Sequence, residues 1–178
     1  YGMHDTLPNT PAIDLLHRHM VARPLEWTEA EQQFARACQR EMGLPETGLA
    51  TEVLPKIGPT KVGGSSDLGD ISKVVPMAAF GWPTAGQGTS LHTWAITACA
   101  GMSIGDRASL DTARILAGAG YDAMTDPSFI VAAKADLEAR MAGKAYAPLL
   151  PADRTEPIGV PDWLRKTGQD EVVSFDPA

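Results

Sequence analysis

The sequence predicts an α/β protein with several helices and only a few strands, and three observations carry that expectation. Apolar residues recur at helical spacing, with matching start and stop signals, in four stretches of the chain. Between those stretches lie short apolar runs of strand length, Leu49 to Leu54 and Ile71 to Phe80. The 17 Gly and 14 Pro among 178 residues exceed the usual share of roughly 12% for the two together. They demand many turns and fit long bundles or coiled coils poorly. A chain of this length suits one domain that buries its core without disulfide or metal staples.

Residues 1–9 have no helical period and end in Pro8-Asn9, which reads as an extended segment turning into a helix. Thr10 and Pro11 then make an N-cap and N1 pair, with Ile13, Leu15, Leu16 and Met20 as the apolar positions and Pro24 as the stop. Thr28 and Glu31 form a capping box ahead of Phe34, Ala35, Ala37, Cys38 and Met42, and Gly43 terminates that second helix. Leu44 to Lys61 is rich in Pro and Gly and is expected to be loop, with at most one short edge strand at Leu49 to Leu54. Ile71 to Phe80 carries Val74, Val75, Met77 and Phe80 and reads as a buried strand that Pro76 weakens. Length alone does not decide strand from helix for Ser90 to Ala100. Asp106 to Met124 is an amphipathic helix in which Gly118 and Gly120 suggest close packing against another element. Asp126-Pro127 caps a further helix that Gly143 closes, and the Pro-rich residues from Pro148 onward read as an irregular tail.

Charge and composition remove several function classes. The net charge of −7 from 15 Lys+Arg and 22 Asp+Glu leaves no broad basic face for phosphate backbones, so neither nucleic acid nor an anionic membrane is expected as a partner. No apolar run approaches the ~18 residues that span a bilayer, and no basic-then-apolar leader opens the chain. A cytoplasmic location is expected. Cys38 and Cys99, the two cysteines, stand far apart with no CxxC spacing and read as buried thiols in a reducing compartment. The chain opens at Tyr1 without an initiator Met and reads as a piece of something longer.

Few constellations carry chemistry. His92 lies between Gly/Thr/Ser punctuation and Trp94, the setting of a side chain presented from a loop. Imidazole is the commonest metal ligand, but no second ligand stands at HxxxH or CxxC spacing, so any metal site is incomplete in this chain. The bland alternative is a structural histidine. Gly63-Gly64-Ser65-Ser66-Asp67 reads either as an anion cradle of backbone N–H groups and hydroxyls or as a tight turn with Asp67 capping a helix. It has neither the lysine of a P-loop nor a GxGxxG pattern. His17 and His19 flank Arg18 on one helix and point to different sides, the pattern of a solvated surface. No GxSxG elbow supports a serine hydrolase, and Trp27, Trp82, Trp94 and Trp163 are too dispersed for a stacking platform.

Four blocks in order resemble one family: Tyr1 through Leu7-Pro8-Asn9, Gly64 to Ser72, Gly88-Thr89-Ser90-Leu91-His92-Thr93-Trp94, and Gly101-Met102-Ser103-Ile104. The likeness, over residues 1 to about 150, is to the C-terminal part of the M20 metallopeptidase/amidohydrolase family, nearest its p-aminobenzoyl-glutamate hydrolases. The resemblance implies an α/β catalytic domain of the three-layer zinc-peptidase kind, interrupted by a smaller lid domain that mediates dimerisation. Residues 1–9 would be the last lid strand and the return of the chain, and residues 10–178 the C-terminal half of the catalytic domain. It implies two divalent metal ions, zinc or manganese, with His92 as the last ligand. The other ligands and the glutamate general base would stand on an N-terminal portion absent from this chain. Ser65, Ser66 and Asp67 match a loop near the substrate, the hydroxyls suiting a substrate carboxylate and Asp67 bracing the loop. After Ser103-Ile104 the family continues with a His and a Lys where this chain has Gly105-Asp106-Arg107, and Arg107 retains the positive charge.

The function expected from the resemblance is hydrolysis of the amide bond of p-aminobenzoyl-glutamate or a related N-acyl amino acid, at a small-molecule site in a homodimer. Two metals would lower the pKa of a bridging water and polarise the amide carbonyl. The contrasting expectation is a non-catalytic truncated fragment or binding module of the same fold.

Overall fold

Helices carry the chain in the computed structural model, which describes residues 3–56 and 66–149. They are α1 (Thr10–Val21), α2 (Glu29–Glu41), α3 (Leu68–Ile71), α4 (Trp94–Ala100), α5 (Ser103–Thr125) and α6 (Pro127–Met141). Residues 3–146 form one unit; of a second, made of residues 1–2 and 147–178, only Ala147 to Leu149 are described.

Local chemistry explains where these helices start and stop. Asn9, one residue before the expected Thr10, caps α1: its side chain accepts from the Ala12 N–H and Pro11 sits in the first turn. Thr28 and Glu31 form the full capping box of α2, the Thr28 hydroxyl taking the Glu31 N–H at 3.2 Å and the Glu31 carboxylate taking the Thr28 N–H at 2.7 Å. Gly43, at φ 67°, adopts the left-handed backbone that ends the helix. Asp126 caps α6 through the Ser128 N–H, and Ala142 and Gly143, both at positive φ, close it.

Packing runs in sequence from α6 through α1 and α5 to α4 and α2. Helices α1, α5 and α6 touch one another, α5 also meets α4, and α4 meets α2. The core between α2, α4 and the start of α5 consists of Ala35, Cys38, Leu49, Ala95, Cys99 and Ile104, with Trp27, Met42 and Met102 against it. Leu15, Ala108, Ile115, Ala119 and Ala133 are buried on α1, α5 and α6. Burying Ile104 and Ile115 contributes about 1.5–3 kcal/mol each. Small residues let the helices approach. A Cβ on Gly118 would lie 2.6 Å from Nδ1 of His19, the close packing expected of that glycine, whereas nothing stands within 4 Å of a Cβ on Gly120. At the α4–α5 corner a Cβ on Gly105 would lie 2.0 Å from the Ala100 carbonyl oxygen.

The α/β expectation is corrected: among the described residues the protein is all-helical, with no strand and no sheet, and so is not half of a three-layer α/β domain. Ile71 to Phe80 begins inside α3, turns, and then runs extended without a ladder partner. Val74 and Val75 are exposed and donate back to the Ile71 carbonyl as a turn, and Pro76 has no N–H to donate, so this run neither buries its face nor joins a ladder. Leu49 to Leu54 is loop, and the described part of residues 1–9 is extended coil without strand. Ser90 to Ala100 resolves into a turn followed by α4. The expected tail lies outside the described residues beyond Leu149. No helix among the described residues is long and apolar enough to cross a membrane.

Candidate functional site

Gln39 on α2 begins the scaffold beneath the His92 turn. Fully buried, it donates through Nε2 to the Thr47 hydroxyl (3.0 Å) and the Gln87 carbonyl (2.7 Å), while its Oε1 accepts from the Gly48 N–H (2.8 Å). The Gln87 N–H donates to the Gly48 carbonyl at 2.8 Å, so one amide side chain ties two loop segments to each other and to the helix. Gly86 packs flat on that side chain; a Cβ there would lie 2.6 Å from the Gln39 carboxamide carbon.

From this anchor the chain passes through Gly88, at φ 80°, to Ser90, whose carbonyl accepts the Thr93 hydroxyl at 2.9 Å. His92 sits inside that turn at φ 61°, in left-handed backbone that an L-residue occupies at a cost of roughly 1–2 kcal/mol. Left-handed conformers at non-glycine positions gather at functional sites. Its side chain is exposed, and no hydrogen bond engages the ring among the described residues. Leu91 and Trp94 on either side are also exposed, at 75% and 53%. The turn therefore presents an imidazole outward between two large apolar side chains, immediately before α4.

The second predicted block behaves differently. Ser65 lies outside the described residues. Ser66 accepts the Leu68 N–H at 3.2 Å and its hydroxyl donates to the Asp67 carboxylate at 3.5 Å; both residues are exposed. Asp67 occupies the N-cap position of α3 without a side-chain cap bond, and its carbonyl takes the Asp70 and Ile71 N–H groups. Around Ser66 and Asp67 the chain turns into a short helix, and Gly63, Gly64 and Ser65 of this loop lie outside the described residues. No hydrogen bond links either residue to His92 among the described residues.

Just beyond, Gly69 to Ser72 hold the opening segment. Ser72 accepts the Leu7 N–H at 2.8 Å and donates to the Gly69 carbonyl at 2.6 Å. Asp70 accepts from the His4 N–H (3.5 Å) and the Tyr146 hydroxyl (3.0 Å), which makes it a structural acceptor and not a solvated carboxylate. That carboxylate beside the phenol pushes the Tyr146 hydroxyl above its ordinary value. A Cβ on Gly69 would stand 1.7 Å from the His4 carbonyl oxygen, so this close approach needs glycine.

Several charged side chains join one element to another. Burial by itself would raise the Glu31 carboxyl, but hydrogen bonds from the Thr28 N–H, the Ser103 hydroxyl and the Thr28 hydroxyl, with Arg107 nearby, outweigh it and hold the group below its ordinary value. Arg107, whose charge the sequence set beside a family lysine, reaches Glu31 at 3.4 Å. His19 meets Asp122 at 2.8 Å and Arg18 meets the same carboxylate at 2.9 Å, so His19 joins α1 to α5. His17 contacts the Leu54 carbonyl at 3.2 Å. The described residues contain no group of three or more His, Cys, Asp or Glu side chains able to hold a metal ion. Sequence reasoning missed Gln39, whose partners lie 8, 9 and 48 positions away; a glutamine on the apolar side of a helix, one residue after Cys38, is the signal that marks it.

Comparison with family models, with curated proteins and with solved structures gave no match to this chain.

Proposed function

We propose that this chain is part of a metal-dependent amidohydrolase acting on p-aminobenzoyl-glutamate or a related N-acyl amino acid, in which His92 ligates one of two divalent ions, zinc or manganese. The single observation that carries the reading is the His92 turn: a left-handed non-glycine backbone, tied down from behind, with an exposed ring. The ordered blocks of residues around Ser66, His92 and Ser103 supply the reaction class. An imidazole nitrogen suits either metal.

The described residues do not by themselves fit two metal ions, because no three His, Cys, Asp or Glu side chains gather among them. The reading therefore assigns the remaining ligands and the general base to an N-terminal portion of the same protein, and it assigns this chain a donor atom and its support. Such a site would take a small amide substrate, and pairing of two copies through a lid domain belongs to the same proposal.

The test is His92→Ala in the full-length protein, with bound zinc and manganese measured together with hydrolysis of p-aminobenzoyl-glutamate. Loss of one metal equivalent and of most turnover is the expected result; unchanged metal content and rate would remove His92 from the site. The exposed Leu91 and Trp94 favour a second reading, a non-catalytic binding module whose contact surface is this turn. Under that reading the same variant leaves metal content at zero, while Trp94→Ala weakens partner binding.

A further inference from the structure

Cys38 and Cys99 are the two cysteines of the sequence, and folding brings them together from distant points in the chain. Cys38 belongs to α2 and Cys99 to α4, the two helices meet, and both thiols lie in the core cluster with Ala35, Leu49, Ala95 and Ile104. Both are free, and Cys38 lies close enough to Cys99 to push its thiol up. Bonding would bring the two sulfur atoms to the ~2.05 Å of a disulfide. With no third cysteine in the sequence, each thiol has one intramolecular partner.

We propose that Cys38 and Cys99 form a redox pair that a hydroperoxide converts to an intramolecular disulfide, clamping α2 to α4 beneath the His92 turn. In the first step the Cys38 thiolate attacks one peroxide oxygen; the O–O bond breaks, water leaves after taking up a proton, and Cys38 becomes a sulfenic acid. In the second step the Cys99 sulfur attacks the Cys38 sulfur, the S–O bond breaks, and a second water carries away the Cys99 proton. Two thiols are oxidised by two electrons in all, and one peroxide is reduced to two waters.

Exposure sets the order of the two residues. Cys38 retains 6% of its surface and Cys99 none, so a small oxidant meets Cys38 first. Burial, reinforced by the neighbouring Cys38, pushes the Cys99 thiol up to about 11, which keeps it protonated and unreactive toward peroxide until a sulfenic acid forms beside it. The closed loop would enclose both segments that Gln39 ties down, as well as the His92 turn at the start of α4. Oxidation would thus restrict the element that carries the candidate ligand. The pairing itself does not depend on any metal.

The experiment treats the folded protein with hydrogen peroxide, blocks remaining thiols with iodoacetamide and measures intact mass, a non-reducing peptide map and thermal unfolding. The expected product is 2 Da lighter than the reduced chain, shows the Cys38 and Cys99 peptides joined, and melts roughly 5–10 °C higher, with all three changes reversed by dithiothreitol. Cys38→Ala and Cys99→Ala should each abolish the mass loss. The wild-type result decides the matter if either variant fails to fold. Oxygen adducts on Cys38 without the cross-link, cross-links between chains, or a reaction that begins only in denaturant would each overturn the proposal. None of these results bears on whether His92 binds metal, so the two proposals fail separately.

Discussion

Replacing Gln39 with leucine keeps the apolar stem and removes the amide that unites α2 with the segments at Thr47–Gly48 and Gly86–Gln87. The Gly48 N–H is buried, and losing its acceptor costs about 1–3 kcal/mol; the Gln87 carbonyl and Thr47 hydroxyl belong to exposed residues that water can reach, and losing both bonds adds about 1 kcal/mol more. The branched leucine must also fit beneath Gly86, where the glutamine side chain already lies in contact. The total is a loss of about 2–4 kcal/mol, or roughly 6–15 °C in melting temperature for a unit of this size. Circular dichroism at 222 nm against temperature and urea measures the loss, and amide exchange at Gly48 shows whether it arises there. A loss below about 0.5 kcal/mol, or a Gly48 amide as protected as before, would refute the reasoning. Gln39→Glu is the companion variant: its carboxylate still accepts from Gly48 but faces the Gln87 carbonyl, so it should be destabilised at pH 7 and recover part of the loss as falling pH restores a donor.

Other consequences follow from the same geometry. Glycine in place of His92 relieves the left-handed backbone while adding chain entropy to the unfolded state, so the variant should be more stable by about 0.5–1 kcal/mol, read by urea unfolding. Gly69→Ala drives a methyl group onto the His4 carbonyl and should cost about 1–3 kcal/mol, with faster exchange at the Leu7 amide and quicker proteolysis of the opening segment. Five carboxylates lie below their ordinary values in the folded state: Glu31, where the hydrogen bonds of its cap outweigh burial; Asp136 and Glu46, through Arg140 and Arg40; Asp122, through His19 and then Arg18; and Asp126, through Ser128. The unfolded chain therefore binds protons first, so their contribution is complete above the ordinary carboxylate range of about 4 and is lost as pH falls through the lower folded values. Melting temperature should drop as pH falls below about 4, and Glu31→Gln should flatten that drop.

Features written within a few residues of one another were legible in the sequence. The Thr28–Glu31 box, the Asp126-Pro127 cap and the Gly43 and Gly143 terminators each act within one turn of helix, and Gly118 announced a close contact because glycine inside a strong helix has few other uses. What escaped depends on distant partners. Asn9 donates to the Ala133 carbonyl 124 positions away, Glu31 reaches Ser103 across 72, and Gln39 reaches Gln87 across 48, none of which periodicity reveals. The strand expectation failed for a related reason. A short apolar run has no secondary structure of its own until a neighbouring strand pairs with it, and Val74 and Val75 meet solvent where a sheet was expected. His92 was singled out by its flanking residues, whereas its left-handed backbone emerged only from the structure.

The central claim concerns His92 and metal, and paired native and denaturing mass spectrometry of the protein purified without chelators tests it most directly. The expected result is a complex in which this chain travels with the ligand-bearing polypeptide and two divalent ions, one of which is lost in His92→Ala. A wild-type chain that flies alone and metal-free in zinc- or manganese-supplemented buffer, with His92→Ala indistinguishable from it, would contradict the account.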